Sequence, residues 1–339
     1  MICRATTKAL GPLRGLWAAA LVVFLLVSGF VTGSAYAEER TQPVNIGVLT
    51  SSWGPTPQTV GLRDGLLELG YRENEQFVIG VRFTQGNLTV LPVAARAMVQ
   101  QGVDVIFASE EEPAKAAQLA TTRIPIVFSY VADPVGLGLI QSFARPGGNI
   151  TGVTDLHFKL DPKRLEVFRE MVPGLKRVLS LYDAADAHAV AEMRVYRDAA
   201  HRLGIELVEK AVRTEEEAQA TLTQIRKGEV DGILGLPFSI SLNIPGFVLE
   251  AASQRALPTM FNTVFWAERG GLASYGSDSH ETGRQAARLV DKIIKGADPA
   301  EIPVEVVTKI EFAINLKVAK ALGLTIAPEV LYQADRIIR

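Results

Sequence analysis

Apolar positions along this chain recur in two alternating patterns. Val44-Asn45-Ile46-Gly47-Val48-Leu49 is a short, mostly apolar run that ends in polar Thr50, Ser51 and Ser52 and then Trp53. Val60, Leu62, Leu66, Leu67 and Leu69 follow near helical spacing up to Gly70, which predicts a strand, a polar tip, a helix and a glycine stop. The order repeats, with strands expected at residues 77–83, 103–108 and 125–128 and helices at 91–101 and 113–121. Helices of that length serve as crossovers, so the sheet should be parallel and covered on both faces.

The pattern then restarts. Helices are expected at 161–171, 189–203, 214–227 and 246–255, and strands at 177–182, 205–211, 232–236 and 258–261. The last seventy or so residues differ: a strand at 271–276, then a helix at 281–295 whose Ala286, Leu289, Val290, Ile293 and Ile294 make one apolar face. Alternation from Val304 through Val306, Ile310, Phe312 and Ile314 predicts one strand, after which Asn315 can cap a helix ending at Gly323. The expected fold is α/β, with two Rossmann-like parallel-sheet lobes joined by a multi-strand hinge. Residues 42–152 with 277–303 form the first lobe, and 153–276 with 304–330 the second. A chain of 339 residues also exceeds what one core usually holds.

Composition changes this picture at the amino end. Arg4, Lys8 and Arg14 precede an apolar run over residues 16–31, followed by small residues and Ala35-Tyr36-Ala37. Those are the basic, apolar and cleavage regions of a secretory leader at residues 1–37, with a core short of the roughly 20 residues that a spanning helix needs. The single cysteine, Cys3, lies inside that leader, so the mature chain has no disulfide, thiol nucleophile or cysteine metal site. Removing three basic residues makes the formal charge of −2 more negative, and no basic patch suggests nucleic acid as a partner.

Four ordered phrases are specific: GLRDGLLELGY from Gly61, IPIVFSYVADPVGLGLIQSFARPGGNITGV from Ile124, GGLASYGSD from Gly270, and VDKIIKGADPAEIPVEVVTKIEFAINLKVAKALGLTIAP from Val290. On these the chain resembles the ABC-transporter substrate-binding proteins of the type I periplasmic-binding fold, in the branch with tryptophan- and tyrosine-type members. The resemblance covers nearly the whole mature chain. It implies a periplasmic monomer that closes two lobes on a small-molecule solute and hands it to the membrane permease of an ABC importer, without a cofactor. One stretch departs: where such proteins often carry glycine, threonine, proline and alanine after the third strand, this chain has Ser109-Glu110-Glu111-Glu112-Pro113.

Parallel strands present their carboxyl ends to one edge, and ligands of open α/β sheets sit there. The expected contacts are therefore Ser51, Ser52 and Trp53, then Ser109, Glu110 and Glu111, then Ser129, Tyr130 and Asp133 in the first lobe. In the second they are Asp183, Phe238 and Asn262, with Tyr275 near the return strap. Hydroxyls and backbone N–H groups suit a carboxylate, acids suit an ammonium, and an aromatic face adds a cation–π contact. Each has an ordinary structural role beside it. The glutamates can offset the dipole of the helix they precede, Trp53 can pack at a Gly54-Pro55 turn, Asp133 can fix a turn with Pro134, and Asp183 can cap a helix.

Enzymatic chemistry has little support. No G-x-G-x-x-G follows the first strand, no G-x-x-x-x-G-K-[ST] or G-x-S-x-G occurs, and His157, His188, His201 and His280 are not paired at metal-ligand spacing. An exported sensor docking on a membrane receptor would need the same fold and closure as an importer component.

Overall fold

In the computed structural model the described residues are 42–339, apart from 156–158, 186 and 237–243. The expected leader at 1–37 and the candidate Phe238 lie outside them.

The first sheet is built from β1 (Val44–Thr50), β2 (Phe77–Phe83), β3 (Val105–Ser109), β4 (Ile126–Ser129) and β5 (Ile150–Thr154). Helices α1 (Pro57–Glu68), α2 (Leu91–Gln100) and α3 (Glu111–Ala120) connect its earlier strands. All pairs run parallel, in the order β5-β4-β3-β1-β2, and register places Thr50 beside Ser109 and Ser109 beside Ser129. The strands' side chains alternate between two cores, one holding Ile46, Val48, Phe107 and Val127 and the other Leu49, Ile106, Ala108 and Phe128.

The second sheet takes β6 (Arg177–Asp183), β7 (Glu206–Val212), β8 (Gly232–Leu234), β9 (Thr259–Phe261) and β10 (Ala273–Ser277). Between and before these strands come α4 (Asp161–Met171), α5 (Ala187–Leu203), α6 (Glu215–Gln224), α7 (Ile244–Arg255) and the short α8 (Val264–Glu268). Their order is β10-β9-β8-β6-β7, and each of these pairs is parallel.

The chain then returns through α9 (Ser279–Ile294), which packs in the first core through Ala286, Leu289 and Val290. Asp278 caps this helix, its Oδ1 accepting from the Glu281 N–H at 3.0 Å. The α1–α9 seam admits no side chain at two points. A methyl group on Gly61 would stand 1.9 Å from the His280 carbonyl oxygen, and one on Gly283 would stand 2.1 Å from that of Gln58.

The alternation over residues 304–314 is not one strand. β11 (Glu305–Val306) extends the first sheet beside β5, whereas β12 (Ile310–Asn315) pairs antiparallel with β10 in the second. The alternation in sequence does not track burial, since Val306 on β11 is exposed while β12 buries Phe312 through Asn315 in succession, so the pattern cannot reveal the change of sheet. After β12 come α10 (Leu316–Ala321), α11 (Pro328–Gln333) and β13 (Arg336–Ile338), which completes the second sheet. Asn315 caps α10, accepting from the Val318 N–H at 3.1 Å.

Three straps thus join the sheets: β5 to α4, β10 to α9, and β11 to β12. They are tied together where they cross. The Val307 N–H donates to the Thr154 carbonyl at 2.7 Å, the Asp278 N–H to the Lys309 carbonyl at 3.0 Å, and Lys309 Nζ pairs with the Asp278 carboxylate at 2.8 Å.

Candidate functional site

At the end of β3 the backbone takes an unusual turn. Glu110 adopts φ of 100°, and at the end of β4 Tyr130 adopts φ of 58°, both in the left-handed region that side chains rarely enter. The two tips are neighbours, since the Glu110 N–H donates to the Ser129 carbonyl at 2.9 Å. Strain of this kind costs about 1–3 kcal/mol per residue and persists where the surroundings fix it.

The turn at Glu110 directs its carboxyl away from the helix it precedes. It stands at the N-cap position of α3 yet makes no capping bond, and Glu111 and Glu112 occupy the first turn instead. The helix accordingly starts at Glu111, ahead of the expected residue 113. The Glu110 carboxylate accepts from the Ser51 N–H at 3.3 Å and from the Ser51 hydroxyl. Burial pushes this carboxyl up to about 7, outweighing the two Ser51 hydrogen bonds that pull it down. Among the described residues no lysine or arginine pairs with it.

Tyr130 crosses to the other lobe. Its hydroxyl accepts a hydrogen bond from Nδ2 of Asn262, the residue after β9. Burial holds the phenol well above its ordinary range; Asp155 adds to that and Arg164 opposes it, with Glu192 and Glu110 also acting on it. The hydroxyl is therefore a neutral donor and acceptor at any physiological pH.

Beyond that contact the second lobe carries a buried charged network. Arg164, on α4, is fully buried. Its Nη1 donates to Asp161 Oδ1 at 2.7 Å and to the Tyr196 hydroxyl, and its Nε to the Tyr275 carbonyl at 2.7 Å. Glu192, on α5, lies 4.0 Å from Nη1. Burial disfavours the guanidinium charge, but Tyr196, Asp161 and Glu192 outweigh it and raise the pKa above its ordinary range.

Ser51, Ser109 and Ser129 are buried at the first-lobe tips, and the Ser109 and Ser129 hydroxyls have no hydrogen-bond partner among the described residues. Asn262 and Asp183 are buried at the second-lobe tips. Asp183 Oδ1 accepts from the Ala185 N–H at 2.8 Å, a turn-fixing bond. Ser52 is committed to the loop it occupies, its hydroxyl donating to the Gly54 carbonyl at 2.7 Å. Trp53 is 62% exposed, and Asp133 is exposed with Oδ1 accepting from the Gly136 N–H at 2.8 Å, closing a turn. Glu111 is buried, and Oε1 accepts from the Ala132 N–H at 3.4 Å. Tyr275 offers its carbonyl to Arg164, while its ring packs 6.0 Å from that of Phe312.

Sequence reasoning did not single out Asp155, Asp161, Arg164, Glu192 or Tyr196. One signal was present. Asp161, Arg164, Leu165, Phe168 and Met171 follow helical spacing and all are buried, so two charges stand on an otherwise apolar stripe. Elsewhere, a surface hollow lined by Lys210, Gln224, Arg226 and Lys227 on the second lobe shares no residue with these strand tips and the Arg164 network. Among the described residues no cluster of three or more histidine, cysteine or acidic side chains could hold a metal ion, and no helix is long and apolar enough to cross a membrane.

Known proteins share this fold. A curated tyrosine-binding protein of Clostridioides difficile (strain R20291) is 26% identical over 264 residues, covering 78% of this chain and 76% of that protein. The crystal structure of a conserved domain protein from Vibrio cholerae superposes with a TM-score of 0.78 at 30% identity, over 88% of this chain and 100% of that one. A Streptococcus pneumoniae ABC domain solved in complex with L-Trp gives 0.77 at 27% identity, again over 88% and 100%. The family model described as ABC transporter substrate binding protein matches residues 43–338. Such proteins bind small-molecule solutes for a membrane permease and are not enzymes. With two parallel-dominated sheets, a three-strap crossing and a match of that length, the chain belongs to the ABC-transporter substrate-binding family of the type I periplasmic-binding fold.

Proposed function

We propose that this protein is the exported component of an ABC import system and captures a small, polar, amino-acid-like solute between its lobes. The hydrogen bond from Asn262 to Tyr130 carries the reading, because it joins the strand tips of the two lobes across one cleft. Ser51, Ser109, Glu110, Ser129 and Tyr130 would supply the first-lobe wall, and Asn262 with the Arg164 network the second. Hinge motion would fall on the three straps, each of which is a short run between elements. The leader at 1–37 would place the protein in the periplasm as a monomer, free to meet its permease.

Capture by closure requires the solute to bind the closed form better than the open one. L-Tyrosine and L-tryptophan, named with the relatives, are the starting probes, joined by a panel of amino acids, amines and small carboxylates. A true solute should raise the melting temperature and shrink the radius of gyration measured by small-angle scattering. A solute that raises the melting temperature and leaves the scattering profile unchanged at saturation would refute hinge closure.

A further inference from the structure

We propose that closure pivots at one joint, the paired residues Asp278 and Lys309, and that residues 304–308 travel with the first lobe up to it. This rests on the capture reading above and locates the bend in the chain.

Residues 304–308 are built into the first lobe. Val304 packs in the core that holds Leu49 and Ile106, and Val307 in the core that holds Val48 and Phe107. Between them Glu305 and Val306 pair with Val153 and Thr154 of β5. Gln285, buried on α9, ties the run down: its Nε2 donates to the Val306 carbonyl at 3.1 Å, and its Oε1 accepts from the Thr308 N–H at 3.2 Å. Sliding this run over the first lobe would break these contacts together and strand a buried amide, so the bend lies beyond it.

The second lobe takes over almost at once. Ile310 pairs with Ser277 and Glu311 with Gly276 in the antiparallel β12–β10 ladder, and Phe312 and Ile314 enter the second-lobe core with Phe168. Lys309 alone thus stands between the last tie to one lobe and the first pair in the other. The strap from β10 to α9 is built the same way, with Asp278 alone between Ser277 and Ser279.

Asp278 divides its bonds between the lobes. Its N–H donates to the Lys309 carbonyl at 3.0 Å and extends the second-lobe ladder. Its Oδ1 accepts from the Glu281 N–H, and its carbonyl from the Thr282 N–H at 2.9 Å, both in α9. Rotation about its N–Cα bond therefore turns one lobe against the other and leaves both sets of bonds in place. Its φ of −69° is unstrained, and residues at element ends are where hinges absorb such rotation. Lys309 Nζ on Asp278 Oδ2 at 2.8 Å holds the two single residues side by side, so both straps turn at one point. The strap from β5 to α4 takes residues 155–160 to make its crossing.

Pulsed dipolar spectroscopy on the purified chain tests this, with Cys3→Ser and a nitroxide on Val306→Cys, an exposed position of β11. The second nitroxide sits on Arg96→Cys, exposed on α2 of the first lobe, or on Lys317→Cys, exposed on α10 of the second. The probe is L-tyrosine, L-tryptophan or the member of the panel above that raises the melting temperature most. On its addition the distance between positions 306 and 317 should change by several ångströms, and that between 306 and 96 should stay within its own width. The reverse pattern, with position 306 following the second lobe, would overturn the joint and leave capture standing. A bound probe that moves neither distance would overturn hinge closure and the joint with it. Without solute, Asp278→Asn keeps the cap on α9 and removes the ion pair, and Lys309→Met removes it from the other strap. Each should broaden the distribution between positions 306 and 317; widths unchanged in both variants would take the ion pair out of the joint.

Discussion

The two walls of the proposed cleft solve the problem of enclosed charge differently. On the second-lobe wall Nη1 and Nε of Arg164 are satisfied by Asp161, Tyr196 and the Tyr275 carbonyl, so most of its charge is answered by its own lobe. On the first-lobe wall Glu110 has, among the described residues, only the N–H and hydroxyl of Ser51, and it approaches neutrality in place of acquiring a counter-ion. On the capture reading proposed above, the second wall would be largely prebuilt and the first left for a solute to complete. The first wall stands on a rigid base, because the seam through Gly61 and Gly283 leaves α1 and α9 no slack.

Removing Arg164 should break the contrast most severely. Arg164→Met should destabilise the protein by about 4 kcal/mol in urea unfolding, because it strands the fully buried Asp161 carboxylate. Adding Asp161→Leu should restore more than half of that loss, since an apolar pair of similar volume has no charge to strand. A double variant no more stable than the single one would show that the network does more than keep its own charges paired.

The other wall should respond to pH. A glutamate whose folded pKa is about 7 keeps its proton in the native state while the unfolded chain gives it up above about 4.3. The folded form then binds more protons across that window, so stability falls as pH rises from about 4.5 to 7 and levels off above. Between pH 5 and pH 8 this group should cost on the order of 2 kcal/mol. Glu110→Gln should remove that slope; an identical pH profile in the variant would place the titration elsewhere.

The bridge between the walls should give the smallest effect. Tyr130→Phe removes the hydroxyl that accepts from Asn262, a loss of about 1 kcal/mol that should appear as a larger radius of gyration without ligand. Unchanged scattering would mean that the straps alone set the angle between the lobes.

Much of this architecture was legible because its strands are short apolar runs with polar tips and its helices carry clear punctuation. Asn315 reads as a cap and acts as one. The run from Val304 to Ile314 misled for a physical reason: two strands in different sheets share one alternation, and only tertiary pairing separates them. At the site, residue type and position brought Glu110, Tyr130 and Asn262 forward, whereas the direction of the Glu110 side chain depends on a backbone turn no local pattern encodes. Asp155 and Glu192 lie on separate elements and acquire significance only from the partners the fold gives them. Arg164 and Asp161 could have been noticed, since helical spacing sets them on the stripe with Phe168 and Met171.

The chain crosses between lobes an odd number of times. Strand β1 therefore opens in one lobe and β13 closes in the other. A donor fluorophore attached ahead of Val44 and an acceptor placed after Ile338 would ride on separate sheets, and on the closure proposed above the transfer efficiency between them would follow nutrient capture in real time.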